Sequence, residues 1–486
     1  MWPFHSIDMS TFVTCLYLIN FILAFTILFL ERKEPAKTLA WIMILFLVPG
    51  LGFVLYLFLS QNIARQKIFR LSKFEEAEIS SALYEQISSI KNDTFAFRAP
   101  EARKWKDMIR LNQMYGGAFY TQDNHIKILT DGDHKFSSLL ADIENASTSI
   151  NVMYYILKPD SVGRALLDAV TKKAAEGVEV RVLVDAMGSR RLSARHFDKL
   201  VAAGGKFAFF FPPKFKYINL KLNYRNHRKI VVIDGRIGYM GGFNVANEYV
   251  GKNARFGNWR DTHLRITGGA VRDMNARFIL DWRFASKENL LIPHGFYPEP
   301  PEIGSSGIQI VSCGPDSPQA EVKLAYLKMI SSAKKNIYIQ TPYFIPDDSV
   351  LDALKMAALS GVDVRIMIPC KPDHIFVYWA TYSYVGILLN AGVKIYIYED
   401  GFLHAKTITV DTEVTSVGSA NFDIRSFYLN FEANAFIYDS AEAYKMESIF
   451  QMDIARCHQL TRQEYRDRSI IIKFKESVAR LLSDLL

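Results

Sequence analysis

The most constraining feature of this 486-residue chain is a motif that occurs twice. Residues 227–234 read HRKIVVID and residues 404–411 read HAKTITVD, so both follow the pattern H-x-K-x4-D. Each copy is followed at the same distance by a short polar stretch, GGFN at 241–244 and GSAN at 418–421. A composite pattern that recurs in the same order within one chain indicates a duplicated domain.

The segments that precede the two motifs also correspond in order. SINVMYYI at 149–156 corresponds to NIYIQTPYFI at 336–345, and GVEVRVLVD at 177–185 corresponds to GVDVRIMIP at 361–369. Runs rich in β-branched residues that follow helical patterns are typical of buried strands in an α/β domain. We therefore predict an α/β fold in which two homologous domains form a pseudo-two-fold pair. The predicted domains span 116–295 and 308–486, and the stretch 296–307, rich in Pro, Gly and Ser, links them.

Two uncharged stretches, 11–30 and 39–59, lie near the amino terminus. At about 1.5 Å per residue, twenty helical residues cross the roughly 30 Å of a bilayer core. We predict two transmembrane helices within residues 1–60, the second bent or re-entrant because Pro49 and Gly50 interrupt it. A cleaved signal peptide is the alternative for the first stretch, but no basic residue precedes it and a second stretch follows at once.

The charge balance favours an anionic partner. Lys and Arg outnumber Asp and Glu by 58 to 50, a net charge of +8, which suits nucleic acid or acidic lipid. Beside two membrane segments we predict anionic phospholipid and no nucleic acid. Residues 61–115 are predicted to be a basic juxtamembrane linker, with a solvated helix face as the alternative. Its leading basic residues are Arg65, Lys67, Arg70 and Lys73.

The four cysteines, Cys15, Cys313, Cys370 and Cys457, have neither paired nor metal-ligand spacing. This spacing therefore predicts neither a disulfide framework nor a zinc site. The basic residues around the two uncharged stretches favour a cytoplasmic catalytic part.

The residue types of the repeated motif suit chemistry at a phosphate. Side chains two positions apart share one face of a strand, so His227 projects with Lys229, and His404 with Lys406. An ammonium group binds phosphate oxygens. An imidazole, with an ordinary pKa of about 6.5, can be a nucleophile or a general acid near neutral pH. Two histidines can take both roles in one reaction, so these four residues are candidate catalytic residues.

Further polar residues follow each motif at matched positions. Gly242 and Ser419 allow backbone N–H groups to approach an anion, and Asn244 and Asn421 offer amide donors. We predict that these four residues bind substrate.

Carboxylates recur in both halves as well. Asp234 and Asp411 complete the motif as candidate catalytic residues, although local hydrogen bonding in the fold is the alternative for both. Asp261, in NWRDTHLRI, and Glu432, in NFEANAFI, are strand-like positions beyond the motifs. Each of these two could orient a histidine by accepting from its second ring nitrogen.

The full pattern, H-x-K-x4-D-x6-G-(G/S)-x-N, resembles the signature of the phospholipase D superfamily and is present twice without a departure. Within that superfamily the chain is similar to the bacterial cardiolipin synthases over nearly its whole length. The similar stretches include RKEPAKTLAWI at 32–42, TPYFIPDD at 341–348 and GSANFDIRSFYLNFE at 418–432. The resemblance implies two phospholipase D-type domains in a multi-pass protein of a bacterial cell membrane, acting on phosphatidylglycerol and other anionic phospholipids without a metal or a nucleotide.

The resemblance also implies a mechanism. His227 attacks the phosphodiester of one phosphatidylglycerol to form a phosphatidyl-histidine, while His404 protonates the leaving glycerol. His404 then takes a proton from a hydroxyl group of a second phosphatidylglycerol, which attacks the intermediate and gives cardiolipin. The negative charge on the phosphoryl group would be held by Lys229, Lys406, Asn244 and Asn421.

Other activities use the same residue types. A hydrolytic phospholipase D, or a phosphatidyl transferase to another alcohol such as serine, would need identical catalytic groups. A nuclease suits the positive charge but not the hydrophobic stretches, and a non-enzymatic phospholipid-binding scaffold would not need two intact motifs. The oligomeric state and the identity of the covalently modified histidine stay open.

An aromatic and basic stretch, 207–225, precedes the first motif. It is a candidate lipid-facing surface in which Phe side chains insert and Lys214, Lys216 and Lys221 meet phosphates. A packed strand followed by an ordinary loop is the alternative.

Overall fold

The computed structural model describes residues 9–26, 35–48, 50–59, 68–212, 223–292, 303–317, 319–481 and 483. By contact the chain divides into two compact units, Met1–Ile63 with Pro213–Asn223, and Ala64–Pro212 with Tyr224–Leu486. Most of the predicted linker lies outside the described residues. So do Lys214, Lys216 and Lys221 of the candidate lipid-facing stretch.

The described residues of the first unit form three apolar helices, α1 (Met9–Thr26), α2 (Pro35–Leu47) and α3 (Leu51–Leu59). The second hydrophobic stretch is a hairpin of α2 and α3 that turns at Gly50, whose φ is 85°. Trp41 packs edge-on against Tyr56 with ring centroids 5.5 Å apart. A Cβ at Gly52 would lie 2.6 Å from the carbonyl oxygen of Ile44, so the two helices touch at the turn. The bend predicted for this stretch is present as a turn between two short helices.

No helix in the described part of the chain is both long and apolar enough to cross a bilayer. α2 and α3 have 13 and 9 residues because the turn divides the second stretch. α1 ends at Thr26, and the last residues of the first stretch, 27–30, are outside the described residues. The prediction of two transmembrane helices is therefore not met by the helices that are described.

The second unit begins with three helices and then alternates strands and helices in two similar sets. The opening helices are α4 (Lys73–Lys91), α5 (Pro100–Lys104) and α6 (Lys106–Gly116). The first set comprises β1 (Thr121–Leu129), α7 (Gly132–Glu144), β2 (Ser149–Tyr154), α8 (Ser161–Ala175), β3 (Glu179–Asp185), α9 (Asp198–Ala202), β4 (Lys206–Phe210), β5 (Arg225–Asn226), β6 (Ile230–Ile233), β7 (Ile237–Gly241), β8 (Trp259–Arg260), β9 (His263–Thr267) and α10 (Ala270–Ser286).

Among the described residues, the second set follows the same order with two further strands and three further helices. It comprises β10 (Ser306–Cys313), α11 (Glu321–Ser332), β11 (Asn336–Gln340), β12 (Phe344–Ile345), α12 (Asp348–Leu359), β13 (Asp363–Pro369), α13 (Ile375–Asn390), β14 (Lys394–Tyr398), β15 (Phe402–Leu403), β16 (Thr407–Val410), β17 (Val414–Gly418), β18 (Phe422–Asp423), α14 (Ile424–Tyr428), β19 (Asn430–Tyr438), α15 (Ser440–Ile454), β20 (Cys457–Leu460), α16 (Arg462–Arg466) and α17 (Ile470–Leu481).

Most of the described strands form one large sheet with the order β20-β14-β13-β11-β16-β17-β19-β10-β1-β9-β7-β6-β2-β3-β4, and β5 also pairs with β19. β12 with β18, and β15 with β8, form two separate two-stranded sheets. Taken outward from its centre, the first half has the order β1-β9-β7-β6-β2-β3-β4 and the second half has β10-β19-β17-β16-β11-β13-β14-β20. Equivalent strands thus occupy equivalent places. β1 and β10 meet antiparallel at the centre, with Thr121 opposite Ile308, as a two-fold axis at the seam requires. The predicted duplicated α/β architecture is confirmed.

Each half has its own hydrophobic core between the sheet and its helices. In the first half, Leu139 and Ile143 of α7 lie on one helical face and pack with Val152 and Val182 of the parallel strands β2 and β3. Strands buried on both faces by helices carry continuous β-branched runs, which explains the repeated sequence pattern.

Residues 61–115 differ from the linker predicted for them. In the described part of this segment, α6 buries Met108 and Ile109 in the same cluster as Val311 of β10 and Val322 of α11. Gln309 of β10 donates to the carbonyl oxygen of Ile109 at 3.0 Å. The segment is thus part of the core beside the central seam, because α6 has an apolar face that a solvated linker would expose.

Candidate active site

The two histidine–lysine pairs lie in short extended connections rather than inside the strands that the sequence predicted. His227 and Lys229 lie between β5 and β6, and His404 and Lys406 lie between β15 and β16. β5 pairs with β19, and β15 pairs with β8, so each connection is held by a strand of the other half. The backbone N–H of His227 donates to the carbonyl oxygen of Phe431 at 2.9 Å, which continues this pairing into the motif.

Each histidine is bonded to a carboxylate from the opposite half of the chain. Nδ1 of His227 lies 2.9 Å and 3.0 Å from the two carboxylate oxygens of Glu432. Nδ1 of His404 lies 2.6 Å from Oδ2 of Asp261. The sequence singled out both carboxylates as histidine-orienting groups but did not say which histidine each would meet. The crossed pairing makes one centre out of two half-sites.

This pairing determines which ring nitrogen can react. A carboxylate only accepts hydrogen bonds, so Nδ1 carries the proton and Nε2 carries the lone pair when the ring is neutral. Nζ of Lys406 also lies 2.9 Å from Nδ1 of His404, but one nitrogen cannot both donate to Asp261 and accept from Lys406. The shorter, charge-assisted bond to Asp261 takes the proton, and the ammonium acts on the ring through its charge.

Both lysines are buried cations. Nζ of Lys229 donates to the carbonyl oxygen of His227 at 2.6 Å, and Lys406 donates to that of His404 in the same way. Burial lowers the pKa of Lys229 to about 7 and that of Lys406 to about 8, although the carboxylates of Glu432 and Asp261 oppose the shift. Buried ammonium groups with lowered pKa values are stabilised by an incoming anion.

The charges of the two halves act on one another. Burial lowers the pKa of His227, and the ammonium groups of Lys229 and Lys406 lower it further. The carboxylate of Glu432 acts in the opposite direction. Burial lowers the pKa of His404 to about 4, with Lys406 adding to the effect and Asp261 opposing it. Without substrate, both imidazoles are therefore neutral at neutral pH.

The carboxylates themselves remain ionised. Burial would raise the pKa of Asp261, but the neighbouring Lys406 and His404 outweigh burial and hold it below its ordinary value. Glu432 is likewise held low by His227 and Lys229 against the effect of burial. Two buried carboxylates thus balance two buried ammonium groups.

The structure gives Asp234 and Asp411 a different role from the catalytic one predicted. The carboxylate of Asp234 accepts from the backbone N–H groups of Ser147, Thr148 and Ser149 at 2.7–2.9 Å. Asp411 accepts from the N–H groups of residues 334, 335 and 336 at 2.7–3.0 Å. Asp234 directly follows β6 and Asp411 directly follows β16, and their φ angles are 53° and 55°. They tie the hairpin turn to the start of β2 or β11.

The two asparagines are buried beside the motifs but engage protein groups. Asn244 accepts from the N–H of Ile156 at 3.1 Å and donates to the hydroxyl of Tyr249 at 2.9 Å. Asn421 donates to Asp423 at 3.1 Å, and its Oδ1 is buried without a partner in the described structure. Asn244 thus fixes the loop that follows β2, whereas Oδ1 of Asn421 can still accept a hydrogen bond.

Gly242 and Ser419 lie under the orienting carboxylates. A Cβ at Gly242 would be 1.9 Å from Oδ1 of Asp261, and the N–H of Gly242 already donates to Thr262 at 2.9 Å. The N–H of Ser419 donates to the carbonyl oxygen of Ala433, and its hydroxyl helps to keep the pKa of Glu432 low. Both residues therefore position a carboxylate, whereas the sequence predicted that they bind substrate.

Some residues at the site were missed by the sequence reasoning. The ring of Tyr155 meets the His227 ring edge-on at 4.7 Å, and the ring of Trp259 lies 5.2 Å from that of His404. Arg228 is buried between the two motif residues and donates to both oxygens of Asp281 at 2.8 Å and 2.9 Å and to the carbonyl oxygen of Glu432 at 3.0 Å. The available signal in the sequence was an arginine between the histidine and the lysine of the first motif. The structure shows that this arginine is buried and ties the two halves together.

Comparisons with known proteins find the same family in both halves of the chain. The family model described as "Cardiolipin synthase, PLD-like domain" matches residues 139–256 and 326–454, one match in each half. A second model, "Phospholipase_D-nuclease N-terminal", matches residues 18–61.

Similar proteins extend the match to nearly the whole chain. The major cardiolipin synthase of Bacillus subtilis is 50% identical over 479 residues, which cover 98% of this chain and 99% of that protein. A cardiolipin synthase of Oceanobacillus iheyensis is 50% identical over 97% of this chain and 98% of its own length. The crystal structure of a phosphatidylserine synthase of Haemophilus influenzae shares the fold, with a TM-score of 0.59 at 16% identity over 77% of this chain and 96% of that one.

Two matched domains, near-complete coverage at half identity and a doubled histidine–lysine centre lead to one conclusion: the chain belongs to the cardiolipin synthase family of the phospholipase D superfamily.

Proposed function

We propose that this protein transfers the phosphatidyl group of one phosphatidylglycerol to a hydroxyl group of a second, giving cardiolipin and glycerol. The observation that carries the proposal is the crossed pairing, in which each motif histidine is oriented by a carboxylate of the other half. Two oriented imidazoles beside two buried ammonium groups supply a nucleophile, an acid–base group and a phosphate site in one centre.

In the first step, Nε2 of His227 attacks phosphorus, a P–N bond forms and the P–O bond to glycerol breaks. His404 gives the leaving oxygen its proton. His404 must be protonated for this step. Burial, reinforced by the charge of Lys406, lowers its pKa to about 4 in the empty site, and a phosphodiester that neutralises the Lys406 charge raises that pKa. The assignment of His227 as the nucleophile follows the family resemblance.

In the second step, His404, now neutral, removes a proton from a hydroxyl group of the second phosphatidylglycerol. The resulting oxygen attacks phosphorus, the P–N bond breaks and His227 is regenerated. One phosphodiester replaces another, so the reaction is close to balanced in energy and the loss of glycerol draws it forward. Lys229 and Lys406 hold the phosphoryl oxygens throughout.

The same proposal covers the organisation of the chain. Residues 1–60 associate the protein with a bacterial cell membrane, and residues 116–295 and 308–486 are the two phospholipase D-type domains, held on the cytoplasmic side. The hairpin of α2 and α3 supports a segment that enters the bilayer and returns. Phosphatidylglycerol and other anionic phospholipids are the proposed partners.

The test is turnover of purified protein in vesicles that contain phosphatidylglycerol labelled in its headgroup and no other alcohol. Cardiolipin with an equal amount of released labelled glycerol supports the proposal, provided that His227→Ala and His404→Ala each abolish it. Phosphatidic acid as the sole lipid product would make the protein a hydrolase and overturn the proposal. Peptide mapping after acid quenching would show which histidine carries the phosphatidyl group.

A further inference from the structure

The last helix of the described residues, α17, presents a stripe of large apolar residues to solvent, while Ile472 and Val478 are half-buried. Ile470, Ile471 and Phe474 are 83%, 63% and 69% exposed. The face that packs against the protein carries Glu476 and Ala479, which are 4% and 1% exposed. A surface helix of a soluble domain ordinarily buries its apolar stripe. α17 is therefore rotated by about half a turn from the orientation that its sequence alone would favour.

Polar contacts hold the helix in this rotation. Arg468, just before α17, donates to the buried carboxylate of Glu476 at 2.9 Å. Beyond the other end, the hydroxyl of Ser483 lies 3.1 Å from that of Tyr384 on α13. Because both ends are fixed, the exposed apolar stripe is a property of the folded chain.

α17 lies beside α13 and runs in the same direction. Nζ of Lys475 lies over the ring of Trp379 at 5.4 Å, and the guanidinium of Arg480 lies over the ring of Tyr384 at 5.1 Å. The second contact lies five residues further along both helices than the first, so the helices are parallel and their first turns are neighbours.

The first turn of α13 is apolar and exposed as well, with Ile375 and Phe376 63% and 55% exposed. Because the two helices begin side by side, exposed apolar residues from both lie at the same end of the helix pair. We call this surface the apolar rim and define it as Ile375, Phe376, Ile470, Ile471 and Phe474.

The apolar rim starts next to the candidate active site. Asp373, two residues before α13, accepts from the hydroxyl of Tyr343, and its charge acts on Lys406 of the second motif. Arg255 of the first half donates to the carbonyl oxygen of Pro372 at 3.2 Å. The loop that leads into α13 therefore connects both halves of the site to the apolar rim.

Exposed basic side chains border the apolar rim. Lys473 and Arg480 flank the apolar stripe of α17 on one side, Lys475 flanks it on the other, and Lys371 precedes α13. Exposed apolar residues bordered by lysine and arginine are typical of helices that lie in the interface of an anionic bilayer.

We propose that the apolar rim inserts into the surface of an anionic phospholipid bilayer and holds the opening of the active site against it. Lipid headgroups then reach the histidines without leaving the bilayer. The inference rests on the proposed function for the identity of the lipid substrate, whereas the docking itself is measurable without turnover.

The docking is tested on the full-length protein in phosphatidylglycerol vesicles whose acyl chains carry bromine, which quenches nearby tryptophan. The Phe474→Trp variant is compared with Met452→Trp on α15. Met452 is 64% exposed. α15 lies on the opposite face of the sheet from α13. Phe450 of α15 packs on Tyr338 and Tyr396, whereas α13 packs on Ile395 and Ile397, whose side chains alternate with that of Tyr396 along β14. We expect added quenchable fluorescence, relative to the unchanged protein, in Phe474→Trp and none in Met452→Trp. Equal quenching of the two would overturn the proposal.

A kinetic test uses the double variant Ile471→Asp, Phe474→Asp, with Tyr444→Asp, Met452→Asp on α15 as the matched control. On vesicles we expect the rim variant to be slower by roughly tenfold, since two large apolar contacts are replaced by charges that an anionic surface repels. On short-chain phosphatidylglycerol dissolved as monomers, both variants should match the unchanged protein. A rim variant as fast as the control on vesicles would contradict the proposal.

The two proposals fail in different ways. If neither the unchanged protein nor any variant makes cardiolipin, the proposed function is wrong. The quenching comparison then still decides whether the apolar rim docks. If cardiolipin forms but the Phe474→Trp chain shows no added quenching, the function stands and the docking surface is wrong.

Discussion

At the scale of single residues, the site depends on carboxylates that touch histidines and not substrate. Asp261 and Glu432 set the tautomer of their partners and stabilise the imidazolium as it forms. They are positioning residues, so their removal should change the rate and its pH dependence more than the binding of lipid.

We expect Asp261→Asn to lower kcat by roughly 10²- to 10⁴-fold while KM stays close to its original value, because an amide can present its N–H to Nδ1 and favour the wrong tautomer. The carboxylate also raises the pKa of His404, so its loss should move the alkaline limb of the rate profile, where His404 loses the proton that it gives to the leaving group, to lower pH. Steady-state kinetics from pH 4 to 8 measures both effects. Glu179→Gln, at an exposed surface carboxylate, is the control. An increase in KM with unchanged kcat would contradict the assigned role.

The lysines predict a second pH dependence. In the empty site the pKa of Lys229 is about 7 and that of Lys406 about 8, and the phosphodiester binds their charged forms. Both lysines lose their protons as pH rises through these values, so binding must then take up protons. We expect KM for phosphatidylglycerol to rise between pH 7 and 9 by up to about tenfold per pH unit for each lysine that titrates. A flat KM over this range would show that both ammonium groups keep their protons without substrate.

At the scale of elements, the motif aspartates act on the hairpins that carry the motif. Asp411 is buried and accepts from three backbone N–H groups at the start of β11, and Asp234 does the same for β2 while being more exposed. Buried N–H groups that lose their acceptor are costly. Substitution should therefore affect stability first.

We expect Asp411→Ala to lower the free energy of unfolding by about 2–3 kcal/mol, and Asp234→Ala by less, because water can replace part of its carboxylate. The activity per folded molecule should be retained in both. Denaturant unfolding followed by specific activity of the folded fraction distinguishes this from catalysis. Loss of activity in Asp411→Ala at full stability would restore the catalytic role predicted from the motif.

The pH dependence of the Asp234 contribution follows from its pKa. Burial opposes ionisation, but the N–H groups of Ser149 and Thr148 outweigh it and lower the pKa of Asp234. A carboxylate with a depressed folded pKa stabilises the fold above its unfolded pKa of about 3.9 and loses that contribution as pH falls through the folded value. The stability difference between the unchanged protein and Asp234→Ala should therefore shrink below about pH 4.

At the scale of the whole molecule, the active centre is shared between halves of one chain. β1 and β10 join the halves, and β5 and β15 each pair with a strand of the other half. Both histidines and both carboxylates of a centre thus come from the same chain.

It follows that an equimolar mixture of His227→Ala and His404→Ala chains should be as inactive as either alone, since no mixed pairing restores a centre with two histidines. Cardiolipin formation by co-reconstituted variants in one vesicle population is the measurement. If each centre were instead built from the first half of one chain and the second half of another, random pairing would give mixed pairs half of the time, each with one intact centre out of two. Recovery of about a quarter of the original activity would therefore mean that the centre is assembled between molecules.

Much of this protein follows from its sequence alone. The doubled motif determined that two homologous α/β halves exist, because a duplicated order of segments has no other simple explanation, and the residue types H, K and N pointed to phosphate chemistry. The bend at Gly50 was also predictable, since proline and glycine interrupt a helix wherever they occur. These inferences depend on local chemistry and on period, which the linear sequence records.

The tertiary structure decided what depends on distant pairing. That Glu432 meets His227 and Asp261 meets His404 is set by β5 pairing with β19 and β15 with β8, and strand partners far apart in sequence leave no local signal. Gly242 and Ser419 became positioning residues for the same reason, because the carboxylates above them arrive from another strand. The outward rotation of α17 is likewise set by Arg468, Glu476 and Tyr384, since a helical pattern shows that an apolar face exists but not which way packing will turn it.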